Sequence, residues 1–285
     1  MGSYNDKIID DLEKIANDLR LTALEIIYKR QAGHPGGSLS CAEIITALYF
    51  NKMRTDPKNP QDPDRDRFIL SKGHASSILY AALAKKGYFP EEELFDWGSL
   101  TCHLQGHPDR NKTPGVDMST GVLGHGINVG AGLAMAAKIN KKNYRTYVLL
   151  GDGECQGGII WEGAMTATKF KLDNLTLIVD YNDVQLDGFV HDIMPMEPFV
   201  DKWKAFNLAV IEIDGHNMRE ILDALDMAER IHDRTTVIVA RTVKGKGVSF
   251  MENSNKWHGG IPSEEQMEKA RKELSEEIIK TGGAK

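Results

Sequence analysis

The sequence has few cysteines, no excess of basic residues and no long apolar run. Only three cysteines occur among 285 residues, and none form a CxxC pair, which excludes a zinc ribbon or a thioredoxin-type redox motif. Lys plus Arg number 35 against 41 Asp plus Glu, a formal charge of −6, so we expect neither a nucleic-acid binder nor a protein held on an anionic membrane. No apolar run approaches the ~18 residues of a membrane-spanning helix.

The composition is otherwise that of an ordinary globular protein, with 41% hydrophobic and 27% charged residues. A chain of this length can bury a large core. Residues 1–11 are polar and acidic and do not read as a signal peptide. Together with the odd number of cysteines, this predicts a cytoplasmic protein.

Apolar runs alternate with amphipathic segments along much of the chain. Strands are predicted at residues 68–70, 146–150, 176–179, 208–213 and 236–240. Such alternation with helices indicates βαβ units. We therefore predict an α/β fold with a doubly wound, mostly parallel sheet and helices on both faces. It would form a single domain over residues 1–285, with residues 281–285 frayed.

Helical periodicity and breaker residues divide the rest of the chain. Helices are predicted at residues 7–30, 40–50, 76–86, 159–170, 218–232 and 263–280, with Ser40 as the N-cap of the second. The glycines and proline of QAGHPGGS, residues 31–38, are expected to interrupt the helical pattern. Residues 98–126 form a long stretch rich in Gly, Pro and His, which favours a functional loop.

The segment Gly151-Asp152-Gly153 follows a predicted strand and precedes a helix, where ligands bind in α/β sheets. A dinucleotide site is nearly allowed, with Asp180 in the place of a ribose-binding acid. However, the glycine spacing is one residue too long for that fingerprint. A carboxylate at Asp152 would also repel a pyrophosphate unless a divalent cation bridges the two. The turn therefore predicts a metal-bridged diphosphate site, with Asn182 as a second oxygen ligand.

The sequence has a GDG turn, and Asn182 follows 30 positions after the Asp of that turn. This pattern resembles the thiamine diphosphate motif. From about residue 9 to residue 259 the chain also resembles the N-terminal portion of transketolase. The segments that carry this resemblance are AGHPGGSLS, FILSKGHAS, QGHPDR, TPGVDMSTGVLGHGINVGAGLA, LLGDGECQ, LDNLTLIVDYNDVQLDG, KGKGVSFMEN and KWHG. Their shared order and spacing identify the family, and the resemblance implies the thiamine-diphosphate-binding fold.

The resemblance also implies a set of site residues. The metal, Mg²⁺ or Ca²⁺, would be held by Asp152, Asn182 and the Val184 carbonyl. Thiamine diphosphate would contact His74, Gly121, Leu123, Asp152, Gly153, Asn182, Leu186 and His258. The catalytic residues would be His34, His74, His107 and His258, because imidazoles can bind diphosphate oxygens and sugar hydroxyls and can move protons near pH 7.

Two positions differ from the family pattern. Gly157 stands where the family commonly has Glu. In the family that carboxylate lies at the dimer interface, and the resemblance implies the same place for residue 157. We expect this change to weaken cofactor activation or to alter communication between two active sites. His125 stands where many transketolases have Gln. We assign His125, His191, His216 and His232 structural roles, and Glu162 is retained as a candidate interface group.

No segment matches the second module of single-chain transketolases, which carries the glutamate that activates the cofactor. The resemblance therefore implies the N-terminal subunit of a two-chain transketolase, inactive alone. Its partner would be the C-terminal subunit carrying the pyrimidine-binding module and the activating glutamate, and the assembly would be a heterotetramer. The implied reaction transfers a two-carbon ketol unit between sugar phosphates through thiamine diphosphate.

A specialised sugar transferase of secondary or unusual carbohydrate metabolism remains open, because much of the acceptor site would lie on the partner. Three further alternatives also remain. One is a subunit of another thiamine diphosphate enzyme, either deoxyxylulose-phosphate synthase-like or 2-oxo acid dehydrogenase E1-like. KWHGG and the two early His motifs favour transketolase over both. The second alternative is a non-catalytic regulatory subunit that keeps the fold. The third is a nicotinamide-dependent oxidoreductase, which Asp152 and the glycine spacing disfavour.

Overall fold

The computed structural model describes residues 4–283, with side chains as far as residue 276. The strands are β1 (Arg67–Leu70), β2 (Thr146–Gly151), β3 (Leu175–Tyr181), β4 (Ala209–Asp214) and β5 (Thr236–Arg241). The helices are α1 (Asp6–Arg30), α2 (Pro35–Leu39), α3 (Ala42–Ala47), α4 (Ser76–Lys86), α5 (His125–Ile139), α6 (Gly158–Lys169), α7 (Val190–Ile193), α8 (Phe199–Ala205), α9 (Met218–Arg230) and α10 (Glu264–Gly283). A π-helical turn, Leu48–Lys52, continues α3.

The five strands form one sheet in the order β1-β2-β3-β5-β4, and every neighbouring pair is parallel. The register pairs Gly151 with Asp180, and Asp180 with Ala240. The carboxyl ends of β2, β3 and β5 are therefore level at one edge of the sheet. The predicted α/β fold with a parallel sheet is confirmed, and the five predicted strands match the observed ones to within one or two residues at each end.

Both faces of the sheet are covered. Along β2, Tyr147 and Leu149 belong to one hydrophobic cluster, which includes residues of α1, α3, α4 and α9. Val148 and Leu150 belong to a second cluster, formed with α5, α6 and α8. Because successive strand residues point to opposite faces, a strand buried on both sides reads as a continuous apolar run. That property made these strands recognisable in the sequence.

One predicted boundary was wrong, at the start of the second helix. Residues 31–38 are not entirely irregular, because α2 begins at Pro35, a residue suited to the first helical position. Ser40 does not cap the following helix; Cys41 precedes α3 instead. The Ser40 hydroxyl donates to the Asp180 carboxylate at 2.6 Å. The hydroxyl is thus engaged by a residue 140 positions away, which no local pattern reveals.

Residues 97–124 contain turns but neither helix nor strand, in agreement with the predicted loop. Within residues 4–283, no helix is both long and apolar enough to cross a membrane. The helix α10 runs to Gly283, and residues 284 and 285 lie outside the described residues. The single domain over 1–285 and its frayed end at 281–285 stay predictions.

Candidate active site

The carboxyl ends of four strands surround a cavity of about 200 Å³. Lys72 and His74 follow β1, Asp152 follows β2, Asn182 follows β3 and Lys244 follows β5. The cavity is lined by eight of the residues that the sequence singled out: His74, Leu123, Asp152, Gly153, Asn182, Val184, Leu186 and His258. The structure thus brings together side chains from separate segments of the chain.

The four histidines of the predicted active site lie side by side. The His34 ring is centred 5.2 Å from that of His74, 5.4 Å from that of His258 and 6.4 Å from that of His107. The His74 and His258 centroids are 5.0 Å apart. The loops that carry these residues therefore converge beside the cavity.

Gly121 lies at the edge of this cluster rather than in the cavity itself. Its φ of +154° is in the region that favours glycine, and a Cβ there would meet the His107 ring at 3.4 Å. Gly121, His107 and His125 line a neighbouring, more open cavity of about 420 Å³. All three residues are exposed, and His125 occupies the first position of α5.

The predicted metal ligands present oxygen atoms at the base of the cavity. The Asp152 carboxylate accepts hydrogen bonds from the Gly153 N–H at 2.7 Å and from the Asp183 N–H. The Asn182 side-chain oxygen accepts from the Val184 N–H at 3.1 Å. Burial and the nearby Asp180 carboxylate raise the pKa of Asp152 to about 7. The raised pKa shows that the buried carboxylate would be stabilised by a nearby cation. Together with the Asn182 amide oxygen and the Val184 carbonyl, it forms a set of oxygen donors of the kind that Mg²⁺ or Ca²⁺ prefers.

Lys244 contributes a cation that the sequence analysis missed. Its ammonium group donates to the Val184 carbonyl at 2.7 Å and lies 2.9 Å from Nδ1 of His258. Burial lowers the pKa of Lys244 to about 8, and the Lys72 charge adds to this effect while the Asp152 carboxylate opposes it. Lys244 and Asp152 thus bring an ammonium group and a carboxylate to the same cavity.

The environment favours neutral imidazoles. Burial lowers the pKa of His258 to about 3, with a further contribution from the Lys244 ammonium. Burial and the Lys72 charge hold the pKa of His74 well below its usual value, and burial with His107 lowers that of His34. A neutral imidazole can donate from one nitrogen and accept at the other. The cluster can therefore bind hydroxyl groups in both directions near pH 7.

A buried ion pair borders the cavity, and one of its members, Lys72, is part of the lining. The Lys72 ammonium is 2.5 Å from the Asp180 carboxylate, which also accepts from the Ser40 and Thr242 hydroxyls. Burial alone would raise the pKa of Asp180, but the Lys72 charge and these hydrogen bonds lower it. Asp180 is fully buried and committed to these partners, so it is not available to hold a ribose. The dinucleotide alternative therefore loses its acid.

Comparison with known proteins identifies this arrangement. Residues 12–280 match the family model described as "Transketolase, thiamine diphosphate binding domain". The chain belongs to the transketolase family. It is 43% identical to an apulose-4-phosphate transketolase subunit of Phocaeicola vulgatus, over 95% of this chain and 96% of that protein. It is 45% identical to the 6-deoxy-6-sulfo-D-fructose transketolase subunit SqwG of a Clostridium species, over 94% and 97% of the two chains.

The longer transketolases match over part of their length only. The human transketolase is 36% identical over 91% of this chain, which corresponds to 42% of the human protein. The solved transketolase of Campylobacter jejuni superposes with a TM-score of 0.87 at 32% identity, over 95% of this chain and 45% of that one. The predictions of a transketolase subunit of the two-chain kind, of a transferase and of the thiamine-diphosphate-binding fold are confirmed.

Glu154, inside the transketolase GDG segment, is a further residue that the sequence analysis did not assign. Its buried carboxylate accepts from the Gly124 N–H at 2.7 Å, from the Gly151 N–H at 2.9 Å and from the Ser71 hydroxyl. These donors come from the start of α5, the end of β2 and the segment after β1. Glu154 thus ties together three of the loops that shape the cavity.

Two other positions of this transketolase chain bear on the cavity. The Gln185 side chain lines it, and its amide nitrogen is buried without a hydrogen-bond partner among the residues described. Gly157 precedes α6 with φ −72° and ψ 131°, an extended conformation open to any residue. A Cβ on Gly157 would meet the Glu154 carbonyl oxygen at 3.4 Å, an ordinary contact. Glycine is therefore not required there by the backbone.

Proposed function

We propose that this chain binds thiamine diphosphate and a divalent cation in the 200 Å³ cavity, as the N-terminal subunit of a two-chain transketolase that transfers a two-carbon ketol unit between sugar phosphates. One observation carries the proposal. Asp152, Asn182, the Val184 carbonyl and Lys244 converge on the cavity at the carboxyl ends of adjacent parallel strands, with the histidine cluster beside them.

In this proposal the base of the cavity holds the diphosphate end of the cofactor. Asp152, Asn182 and the Val184 carbonyl would provide three oxygen ligands for Mg²⁺ or Ca²⁺, and Gly153 would let the backbone approach a phosphate. Lys244 would add a second positive charge facing the diphosphate. When bound, thiamine diphosphate supplies the nucleophilic carbon chemistry of ketol transfer. Leu123 and Leu186, on the cavity wall, would contact its apolar part.

The histidines would handle the sugar. His74 and His258 line the cavity, so we place them next to the cofactor, whereas His34 and His107 lie farther out and would contact the substrate. Neutral imidazoles can donate to a sugar oxygen or take a proton from a hydroxyl near neutral pH. We propose sugar phosphates as donor and acceptor, in keeping with the name of the Phocaeicola relative. The name of the Clostridium relative makes a sulfonated ketose a further substrate to test.

The partner would cover the mouth of the cavity. The side chains of Leu123 and Leu186 are 46% and 61% exposed beside it, and Val129 and Met165 are exposed on the adjoining helices α5 and α6. Glu162 is exposed on the same side of α6 as Met165, three residues apart. These exposed apolar side chains next to a polar cavity are what an interface with a second polypeptide would bury.

The comparisons suggest what that partner is. This chain matches 96% and 97% of the two bacterial transketolase subunits but 42% of the human enzyme. We therefore propose that a separate C-terminal transketolase subunit supplies the pyrimidine-binding module and the activating glutamate. The two kinds of chain would form a heterotetramer, since most soluble oligomers close with two-fold symmetry.

We also propose a cytoplasmic location for the enzyme. Cys41, Cys102 and Cys155 are free and buried in the structure. Unpaired thiols are typical of proteins kept in a reducing compartment. Fractionation of the source cells with an antibody against the chain would test this assignment, and recovery with the secreted or membrane fraction would contradict it.

Calorimetric titration tests the binding proposal. Thiamine diphosphate is titrated into the full chain with Mg²⁺, with EDTA, and with and without a co-expressed candidate second subunit. We expect binding that requires the metal and tightens with the partner. Asp152→Asn should weaken the binding by roughly 100-fold or more, because it removes a charged metal ligand. Asp201→Asn, at an exposed position of α8, is the matched control and should leave it unchanged.

The alternatives predict other results. A regulatory subunit that keeps the fold would bind no thiamine diphosphate in any of these conditions. Ketol transfer by the chain without a partner would contradict the two-chain proposal. Metal-independent binding of NAD would revive the oxidoreductase alternative.

A further inference from the structure

His216, which the sequence left with a structural role, connects the core of the fold to the cavity. It lies in the turn between β4 and α9, and its side chain is 11% exposed. Its Nδ1 is 3.2 Å from the Glu43 carboxylate, and its Nε2 accepts from the Val243 N–H at 2.8 Å. Val243 directly precedes Lys244, the cation in the base of the cavity.

These contacts define the tautomer of the His216 ring. A backbone N–H can only donate, so Nε2 must offer a lone pair to Val243. The proton then resides on Nδ1, where it faces the Glu43 carboxylate as a donor. The ring is therefore a neutral link of fixed orientation between a carboxylate and a backbone amide.

The other end of this link is rigid. Glu43 is 6% exposed and receives the Arg20 guanidinium on both carboxylate oxygens, at 2.6 Å for Oε1. Arg20 is 2% exposed, and its Nε donates to the Leu39 carbonyl at 3.1 Å. Burial alone would raise the pKa of Glu43, but Arg20 and His216 together lower it to about 2. A charged, doubly held carboxylate thus fixes the position of His216.

The end near the cavity is where orientation matters. β5 ends at Arg241, and Thr242 is still held by β3, because its N–H donates to the Tyr181 carbonyl at 3.0 Å. At the next residue, Val243, the N–H donates to the His216 ring instead of to a strand. The Gly215 N–H donates to the Arg241 carbonyl at 2.7 Å, and a Cβ on Gly215 would meet Thr242 at 2.4 Å. Glycine at this position therefore allows the close approach by which His216 reaches the Val243 N–H.

We propose that His216 is a positioning residue for Lys244. Its ring links the Val243 amide to the Glu43–Arg20 pair. Because Lys244 is the next residue, this link directs the Lys244 ammonium toward the Val184 carbonyl and the diphosphate end of the cavity. His216 does not line the cavity, so its effect on the cofactor passes through Lys244. This inference rests on the proposed binding of thiamine diphosphate.

Two conservative variants separate the two hydrogen bonds of His216. His216→Gln places an amide oxygen near the former Nε2, where it can accept from Val243. His216→Asn is shorter and can reach only the Glu43 side. We expect His216→Asn to weaken thiamine diphosphate binding in Mg²⁺ about tenfold, the effect of one hydrogen bond, and His216→Gln to stay within about threefold of wild type. His232→Asn, at an exposed histidine after α9, is the matched control and should leave binding unchanged.

A double-mutant cycle with Lys244→Met tests the route of the effect. If His216 acts through Lys244, adding His216→Asn to Lys244→Met should not weaken binding further. Equal weakening in both backgrounds would show a general structural effect and overturn the inference, as would wild-type affinity in His216→Asn. These results differ from failure of the proposed function, in which the wild-type chain itself binds no thiamine diphosphate.

Discussion

Replacing Asp180 by Asn should destabilise the fold strongly, because it leaves a buried ammonium without its counter-charge. Lys72 is 2% exposed, and Asp180 is fully buried 2.5 Å away. The Gly37 carbonyl is the other oxygen that Lys72 contacts, also at 2.5 Å. Ser40 and Thr242 donate to different oxygens of Asp180, so Asn can accept from one hydroxyl with its oxygen and donate to the other hydroxyl oxygen with its NH2 group. Both contacts can therefore survive, and the main loss is charge. Removing one partner of a buried pair typically costs about 3–5 kcal/mol, and we expect a decrease of that size in the free energy of unfolding.

The assay is urea unfolding of the full chain followed by circular dichroism, with the slope of the transition compared between variants. The double variant Asp180→Asn/Lys72→Met removes both charges at once. Because the double variant leaves no unpaired ion, we expect its free energy of unfolding to be about 2 kcal/mol or more above that of Asp180→Asn alone. The control is Asp64→Asn, which breaks an exposed pair with Lys142 and should change the free energy by no more than about 0.5 kcal/mol.

Two results would refute this reasoning. One is a decrease in the free energy of unfolding below about 1 kcal/mol in Asp180→Asn. The pair would then contribute no more than an exposed ion pair does, although it is buried. A double variant no more stable than the single one would show that the unpaired Lys72 charge is not the cause of the loss.

Three further outcomes follow from other positions. In Gly157→Glu, the free energy of unfolding should stay within about 0.5 kcal/mol of wild type, because the extended backbone accepts any residue. The same variant should raise the cofactor affinity or the turnover of the two-chain complex; if neither changes, Gly157 is neutral. Gln185→Leu should weaken thiamine diphosphate binding up to about tenfold in calorimetry without destabilising the free chain, since its buried amide nitrogen lacks a partner within the described part of the chain; unchanged affinity would contradict this. The depressed pKa of Glu43, about 2 against 4.5, should give about 3 kcal/mol of stability above pH 4.5 that disappears as the pH falls toward 2; acid unfolding of Glu43→Gln should lack this component.

The sequence revealed the sheet because its strands carry a local signal. β2, β3 and β5 are buried on both faces, so each appears as an apolar run with polar or glycine residues after it. The Gly151-Asp152-Gly153 turn follows such a run, and the structure has a cavity at this strand end. The histidine cluster could be predicted only through the family resemblance, because four loops far apart in the chain supply its members.

The residues that the sequence analysis missed act over long range. Lys72 and Asp180 are 108 positions apart, and Ser40 and Asp180 are 140 apart. Whether a lysine in a glycine-rich loop is exposed or buried against a carboxylate depends on packing, which neither propensity nor periodicity encodes. Lys244 was missed for the same reason, although it lies within KGKG, one of the segments that carry the transketolase resemblance.

The arrangement of charges explains why one cavity can suit a metal-bound diphosphate and a sugar together. The Lys72 charge lowers the pKa of His74, but it is paired with the Asp180 carboxylate and is therefore not free to bind an anion. Asp152 and Lys244 remain at the base, one suited to a cation and the other to an anion. The charges thus stay with the diphosphate end, while the lowered pKa values of His34, His74 and His258 favour their neutral form, as reversible proton exchange with hydroxyl groups requires. A protonated histidine in their place could only donate, and it could not take a proton from the substrate.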